Sequence, residues 1–182
     1  NWDVSNGTNF REMFKGAASF NQDISGWDVS SGSNFSSMFR GCTSFNSDIG
    51  NWNVGNGTDF SKMFWGAVNF DQNIGTWNVA SGTDFNNMFR DADSFNQYLD
   101  LWRVKVDAYF DNMFAGADLM LTEQGFDAIP NYYDFRKNMF SGRTELDTAI
   151  SAWISNESNA RTIYGDINSW DVSALTDFSQ LF

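Results

Sequence analysis

Apolar residues recur along the chain at a fixed interval of 25 residues. The clearest column is tryptophan, which stands at Trp2, Trp27, Trp52, Trp77 and Trp102. With each tryptophan as position zero, Val recurs at +2, Phe at +8, Met-Phe at +11 and +12, Phe at +18, and Ile or Leu at +22. Because one such unit cannot bury its apolar face alone, the pattern predicts a series of stacked coils.

The spacing inside each unit predicts its local structure. Trp-x-Val alternates with a period of two, which is typical of a short strand. Phe-x-x-Met-Phe has the i, i+3, i+4 spacing of a single buried helical turn. An oxygen side chain at +7 stands where it would cap that turn, and in most coils a Gly at +14 would end it. The pattern therefore predicts an α/β repeat solenoid, with short parallel strands on one face and short helical turns on the other.

We interpret the whole chain, 1–182, as one solenoid domain. Coils are regular over 1–119, irregular over 120–166 and regular again over 167–182. In the irregular part, Phe135, Leu146, Ile150 and Trp153 keep most of the internal spacings after one inserted residue. The seventh coil is eight residues short, because Trp170 follows Trp153 by only 17 residues. We expect this coil to have lost its helical turn, and we expect the chain, which opens and stops inside a repeat, to be part of a longer protein.

Charge and residue usage exclude several classes of function. The chain has 23 acidic and 11 basic residues, no His, and a net charge of −12. Such a surface repels phosphate backbones, so we expect no nucleic-acid partner. No phosphate-binding, dinucleotide or calcium-loop motif is present, and the commonest general base is missing. We therefore predict that the protein is not an enzyme and has no cofactor or metal.

Two further features concern the setting of the protein. No apolar run approaches the ~18 residues of a spanning helix, so we expect no membrane-spanning segment. The single cysteine, Cys42, excludes an internal disulfide framework. It stands where other coils have Ala, which indicates a small buried residue.

Three segments carry a resemblance to a known family. They are NWDVSNGTNFREMFKGAASFNQDI, GWDVSSGSNFSSMFRGCTSFNSDI and INSWDVSALTDFSQLF. They resemble the BspA-type leucine-rich-repeat surface proteins, in the branch with a 25-residue WDVSxVTxMxxMF repeat. The resemblance implies leucine-rich-repeat-like coils, a surface, secreted or matrix setting, adhesion or partner binding, and no catalytic residues. Gly at +5 and Phe at +8 replace the Val and Met of that family, and we expect the larger Phe to fill space that Gly releases.

Two sets of side chains are candidates for a binding site. The first is an outward ladder at position +1, formed by Asp3, Asp28, Asn53 and Asn78. Such a row could bind Ca²⁺ or sugars, or it could serve only stacked hydrogen bonding and solubility. The second is Trp65, whose neighbours at the same position +13 are Arg40 and Arg90. We expect Trp65 to be exposed and to anchor a partner; the alternative is a surface Trp lying flat on the helix.

Asn6, Asn56 and Asn156 begin N-glycosylation triplets. Asn6 and Asn56 share position +4, which should be an exposed corner. The alternative is that these residues serve only as turn residues and caps.

Together these features favour a non-enzymatic extracellular or cell-surface repeat module for adhesion or for binding a protein or glycan. The alternative is a structural or accessory subunit of a larger complex, which would also allow an intracellular or organellar location. Ice binding is a weaker alternative and rests on a column of hydroxyls, Thr8, Ser33, Thr58 and Thr83.

Overall fold

The computed structural model describes residues 2–99, 101–130, 134–136 and 143–164, together with residues 167, 170 and 172. The chain divides into two compact units, Asn1–Asp134 and Phe135–Phe182. Each unit is described by itself, and the single continuous domain stays a prediction.

Successive 25-residue coils of the first unit are joined by backbone hydrogen bonds at alternate residues. Over positions +8 to +14, every second N–H donates to a carbonyl of the following coil. In the second coil these donors are Phe35, Ser37, Phe39 and Gly41, with N–O distances of 2.8–2.9 Å. The N–H groups between them close tight turns inside the coil, from Met38 to the Phe35 carbonyl and from Arg40 to that of Ser37. Each coil therefore satisfies its own turns and also binds the next coil.

The helical turn predicted at Phe-x-x-Met-Phe is wrong. The residue at +10 has a positive φ of 54–60° in all five coils, at Glu12, Ser37, Lys62, Asn87 and Asn112. A left-handed residue at the third position of an i→i+3 turn is the mark of a type II turn and cannot occur within an α-helix. Consecutive tight turns place side chains at i, i+3 and i+4 inward, as one helical turn would. The predicted left-handed Gly is confirmed, since Gly16, Gly41, Gly66 and Gly116 have φ of 69–77°.

The strand predicted at Trp-x-Val is also absent from the coils that the structure describes. Regular pairing is limited to isolated parallel bridges at position +7, such as Asn34 with Asp59. The inward direction of Trp and Val is nevertheless correct from the third coil to the fifth, where both are buried. The indole N–H of Trp52 donates to the carbonyl of Ile24 at 3.1 Å, and Trp77 and Trp102 repeat this bond one and two coils further on. A side-chain bond to a carbonyl 28 residues earlier thus replaces strand pairing along this segment.

The core of the first unit consists of columns of stacked aromatic rings. At +8 the ring of Phe35 lies 5.5 Å from those of Phe10 and Phe60, nearly parallel to both. The Phe columns at +12 and +18 meet inside each coil, where Phe39 and Phe45 have centroids 4.0 Å apart. The separations between coils lie within the 4.5–7 Å range that aromatic pairs prefer, and the pairs inside a coil are closer. The predicted apolar positions therefore form the core.

Glycine at +5 makes room for the phenylalanine at +8. A Cβ built on Gly32 would lie 2.5 Å from Cζ of Phe35 and 2.9 Å from the carbonyl oxygen of Val29. Gly7 shows the same relation to Phe10, and Gly57 and Gly82 repeat it with their own Phe rings. The structure thus confirms the expected exchange of volume between these two positions.

Helices occur only late in the described part of the chain. A short α1, Asp118–Thr122, follows the turns of the fifth coil in the first unit. A 3-10 helix, Asp134–Arg136, begins on the last residue of the first unit and ends in the second. The second unit then has two α-helices, α2, Arg143–Ser155, and α3, Glu157–Tyr164.

These helices correct the interpretation of residues 143–164 as parts of a sixth and a seventh coil. Leu146, Ala149 and Ile150 are buried on α2 and pack against Tyr164, Trp170 and Val172. The apolar positions Leu146 and Ile150 are four residues apart, and this spacing fits one face of an α-helix as well as it fits a coil of the repeat. The seventh coil was expected to have lost its helical turn, but α3 lies within it. Most of the regular coil expected at 167–182 lies outside the described residues.

Candidate functional site

The residues predicted as a partner anchor form a column of side chains at position +13. Arg40 places its guanidinium carbon 4.1 Å from the ring centroid of Trp65, and Arg90 places its own at 5.1 Å. The two arginines come from the coils before and after that of Trp65. Guanidinium groups at these distances make cation–π contacts with an indole. The structure therefore brings together the three residues of this predicted site.

Trp65 was predicted to be exposed, but the structure shows it half-buried. Its indole N–H donates to Oδ2 of Asp91 at 3.0 Å. Oδ2 of Asp91 also lies 3.6 Å from Nε of Arg90, a buried nitrogen that has no hydrogen bond. The sequence could not show the depth of Trp65, because the side chains that flank it are 25 residues away on either side. Arg40 has no ion pair within the described ranges.

The column lies within a basic edge of the first four coils. We define the turn edge as residues 10–16, 35–41, 60–66 and 85–91, which are the tight turns at positions +8 to +14. All basic residues between residues 2 and 99 lie on it: Arg11, Lys15, Arg40, Lys62 and Arg90. Of the ten acidic residues in the same span, only Glu12 and Asp91 lie on it. The turn edge is thus locally positive in a chain of net charge −12.

The outward ladder at +1 is exposed as predicted. Oδ1 of each member accepts the backbone N–H two residues further on, at 3.0–3.2 Å, in Asp3, Asp28, Asn53 and Asn78. These are local Asx turns. The hydroxyl of Ser5, followed by its backbone N–H, lowers the pKa of Asp3, and Ser30 lowers the pKa of Asp28 in the same way. One oxygen of each member is therefore engaged in a turn inside its own coil and not in hydrogen bonding between ladder members, and binding of Ca²⁺ or sugars stays a prediction.

The three glycosylation candidates are all exposed but differ in their contacts. The side chain of Asn6 has no hydrogen bond to the described residues. Asn56 uses Nδ2, the nitrogen that would carry a glycan, to donate to the carbonyl of Ser30 at 2.8 Å. Asn156 lies between α2 and α3 and accepts the N–H of Asn159 at 3.1 Å as a helix cap. Asn6 is therefore the most accessible acceptor of the three.

A polar ladder at +19 was not identified from the sequence. Oδ1 of Asn46 accepts the backbone N–H of Asp71 at 2.9 Å and Nε2 of Gln72 at 2.8 Å. Asn21, Asp71 and Asn96 hold the following coil in the same way, through backbone or side-chain donors. The sequence feature that could have predicted this ladder is an Asn or Asp directly after the Phe at +18, which occurs in each of the first four coils. This ladder clamps each coil to the next along the exposed side.

The hydroxyl column considered for ice binding is engaged within the protein. Ser33 donates its hydroxyl to the carbonyl of Thr8 at 3.1 Å, and Thr58 and Thr83 donate to the preceding coil in the same way. Hydroxyl hydrogens that are used inside the molecule are not available to a lattice of water.

Cys42 is buried as predicted, and its thiol donates to the carbonyl of Phe14. Burial raises its pKa to about 11. No helix among the described residues is long and apolar enough to cross a bilayer. Within the same residues, no group of three or more Cys, Asp or Glu side chains is arranged to hold a metal ion.

Comparison with known families identifies the class of this chain as a repeat protein. It matches the family described as "Mycoplasma protein of unknown function, DUF285" four times, over residues 1–64, 31–128, 51–153 and 134–182. These overlapping matches cover the whole chain, and the chain belongs to that family. Comparisons with curated proteins and with solved structures gave no match.

Proposed function

We propose that this chain is a non-enzymatic repeat module that binds a protein or glycan partner in an extracellular or cell-surface setting. The observation that carries the proposal is the column formed by Arg40, Trp65 and Arg90. The resemblance to BspA-type leucine-rich-repeat surface proteins supports the setting and a leucine-rich-repeat-like stack of coils, and both remain part of the proposal.

The column has the physical properties of a binding hot spot. Trp and Arg are the residue types most enriched among side chains that dominate binding energy. The cation–π contacts and the bond from Trp65 to Asp91 hold the three side chains in place before a partner arrives. Side chains that are already ordered lose less conformational entropy on binding, so more of the contact energy appears as affinity. The +1 ladder is a weaker candidate, because one oxygen of each member is engaged in a turn.

The test is binding of purified Trp65→Ala to a printed panel of extracellular proteins and glycans, beside the wild-type chain. We expect the affinity for the partner to fall about 30-fold, as for the loss of a hot spot of ~2 kcal/mol. Trp2→Ala is the matched control, since Trp2 is 67 % exposed and lies outside the column. Equal affinities of wild type and Trp65→Ala, with both folded, would refute the proposal.

The second candidate is a structural or accessory subunit of a larger assembly. It predicts that the chain co-purifies with partner subunits from its natural source and that Trp65 is protected in that complex. Ice binding is not favoured, because the hydroxyls of Ser33, Thr58 and Thr83 donate to backbone carbonyls.

A further inference from the structure

We propose that the turn edge binds an acidic polysaccharide, whose carboxylate or sulfate groups pair with its arginine and lysine side chains. This inference rests on the proposed binding function and names the class of partner. Its first support is the separation of charge: every basic side chain between residues 2 and 99 lies on the turn edge.

The central part of the turn edge presents two ordered guanidinium groups, of which that of Arg90 also lies beside the Asp91 carboxylate at 3.6 Å. The guanidinium groups of Arg40 and Arg90 are held against the indole of Trp65, and their coils are two apart. Because both guanidinium carbons lie close to the same indole ring, they are at most about 9 Å apart. That distance is of the order of one disaccharide, the unit at which many linear acidic polysaccharides repeat their charged groups. Arginine suits this role because its planar fork binds oxyanions through two parallel hydrogen bonds.

The other cations of the turn edge extend the same surface. Lys15 pairs with Glu12 at 3.0 Å, and Arg11 lies 3.8 Å from the same carboxylate. Each of these side chains is at least 40 % exposed, so the pairs contribute little free energy and can exchange for a ligand anion. Lys62 has no ion pair with any residue that the structure describes. A chain of sugars crossing several coils would therefore meet a cation in each of the first four.

The uncharged residues of the turn edge favour a sugar over a peptide. Asn86 and Asn87, at positions +9 and +10 of the fourth coil, supply amide groups next to Arg90, whereas Ser36 and Ser37 at the same positions of the second coil are buried. Apart from Met13 in the first coil, no exposed large hydrophobic side chain of the described residues lies on this edge. Trp65 offers one aromatic contact on this edge, but an acidic peptide would need further apolar anchor points around it, because hot spots cluster in well-packed pockets. A polysaccharide needs ionic and hydrogen-bonding groups, which this edge supplies.

The net charge of −12 does not prevent such binding at physiological salt. The Debye length there is about 8 Å, so an exposed cation acts on a nearby anion more strongly than distant carboxylates do. The contacts between the cations of the turn edge and the polyanion should make the interaction sensitive to salt. We expect affinity to fall as ionic strength rises, because ion pairing with a polyanion releases bound counterions.

The experiment measures binding of the full chain to immobilised heparin and to hyaluronate, with neutral dextran as a blank. Arg40→Glu should weaken binding about tenfold or more, since it removes one charge-assisted contact and adds a repulsion. Lys105→Glu is the matched control. It makes the same change of charge at an exposed lysine outside the turn edge, whose Nζ contacts the Ser81 carbonyl. We expect Lys105→Glu to bind within about twofold of wild type, as for a remote surface charge.

Three results would overturn the inference. The first is no binding to heparin or hyaluronate at low salt. The second is an equal loss of affinity in Arg40→Glu and Lys105→Glu, which would mean that only total charge matters. The third is equal or tighter binding to polyglutamate or duplex DNA, which would assign the edge to another polyanion. If binding to the protein and glycan panel still depended on Trp65, the binding module would stand and only the polysaccharide would be wrong.

Discussion

A methyl group at Gly32 should destabilise the stacked coils through a clash that the structure defines closely. The new Cβ would lie 2.5 Å from Cζ of Phe35 and 2.9 Å from the carbonyl oxygen of Val29. The carbonyl belongs to the backbone and cannot turn away. The Phe35 ring is held between Phe10 and Phe60, each 5.5 Å distant. Neither the Val29 carbonyl nor the Phe35 ring can therefore move away from the new methyl group without displacing a coil.

The expected cost follows from these contacts. Overpacking a core by one methyl group costs about 1–3 kcal/mol. Replacing Gly by Ala also reduces the entropy of the unfolded chain, which offsets about 0.4–1 kcal/mol. We therefore expect Gly32→Ala to lower the free energy of unfolding by about 1–2 kcal/mol. Gly26→Ala is the matched control, because its Cβ would have no neighbour within 4 Å and should leave stability unchanged or slightly raised.

Urea unfolding followed by tryptophan fluorescence measures both variants. The specific claim is that Gly32 and Phe35 share one volume, so Phe35→Met should relieve part of the clash. In a double-mutant cycle the two changes should be less destabilising together than in sum, by about 1 kcal/mol. Additive effects, or a Gly32→Ala variant as stable as Gly26→Ala, would refute the reasoning.

Three further predictions test other parts of the account. Asn46→Ala should lower the free energy of unfolding measured in urea by about 0.5–1.5 kcal/mol, because it removes two exposed hydrogen bonds to the next coil, whereas exposed Asn69→Ala should not. Cys42, with its pKa raised to about 11 by burial, should react slowly with a thiol reagent at pH 8 and rapidly in urea; fast labelling of the folded chain would contradict its burial. Ser25→Ala should raise the pKa of Asp23, which the Ser25 hydroxyl and N–H lower. The hydrogen bonds from Ser25 lower the pKa of Asp23 in the folded chain. Their contribution to stability is therefore fully present above the unfolded-state pKa of Asp23 and is lost as the pH falls through the folded-state pKa. NMR titration of the wild-type chain and of Ser25→Ala measures the difference in the Asp23 pKa.

The positions of the core residues were predictable, but the backbone that holds them was not. The 25-residue register placed Phe35, Phe60 and Phe85 in one buried column, because ladders of like side chains follow directly from stacking. The helical turn failed because the spacing i, i+3, i+4 does not distinguish a helix from consecutive tight turns. The residue that decides between them, at +10, is Glu12, Ser37 or Lys62 in the first three coils, and none of these residue types signals a positive φ. Asn87 and Asn112 at the same position are of a type that favours the left-handed region, but two of five positions do not reveal the turn.

Contacts between coils were the least predictable feature of the candidate site. Arg40 and Arg90 were expected beside Trp65 because they share its position in the repeat. The burial of Trp65 and its bond to Asp91 depend on side-chain directions that the register does not specify. In the second unit, Leu146 and Ile150 were assigned to a coil because their spacing of four fits both a coil and α2.

The most direct test of the proposed contact surface is a two-dimensional NMR titration that follows the indole N–H signals of the eight tryptophans. Trp65 reports on the turn edge, whereas Trp52, Trp77 and Trp102 bond to carbonyls in the interior. On addition of heparin, the account predicts that the Trp65 signal shifts and saturates while those three signals stay in place. A titration in which heparin shifts another tryptophan and leaves Trp65 unchanged would contradict it.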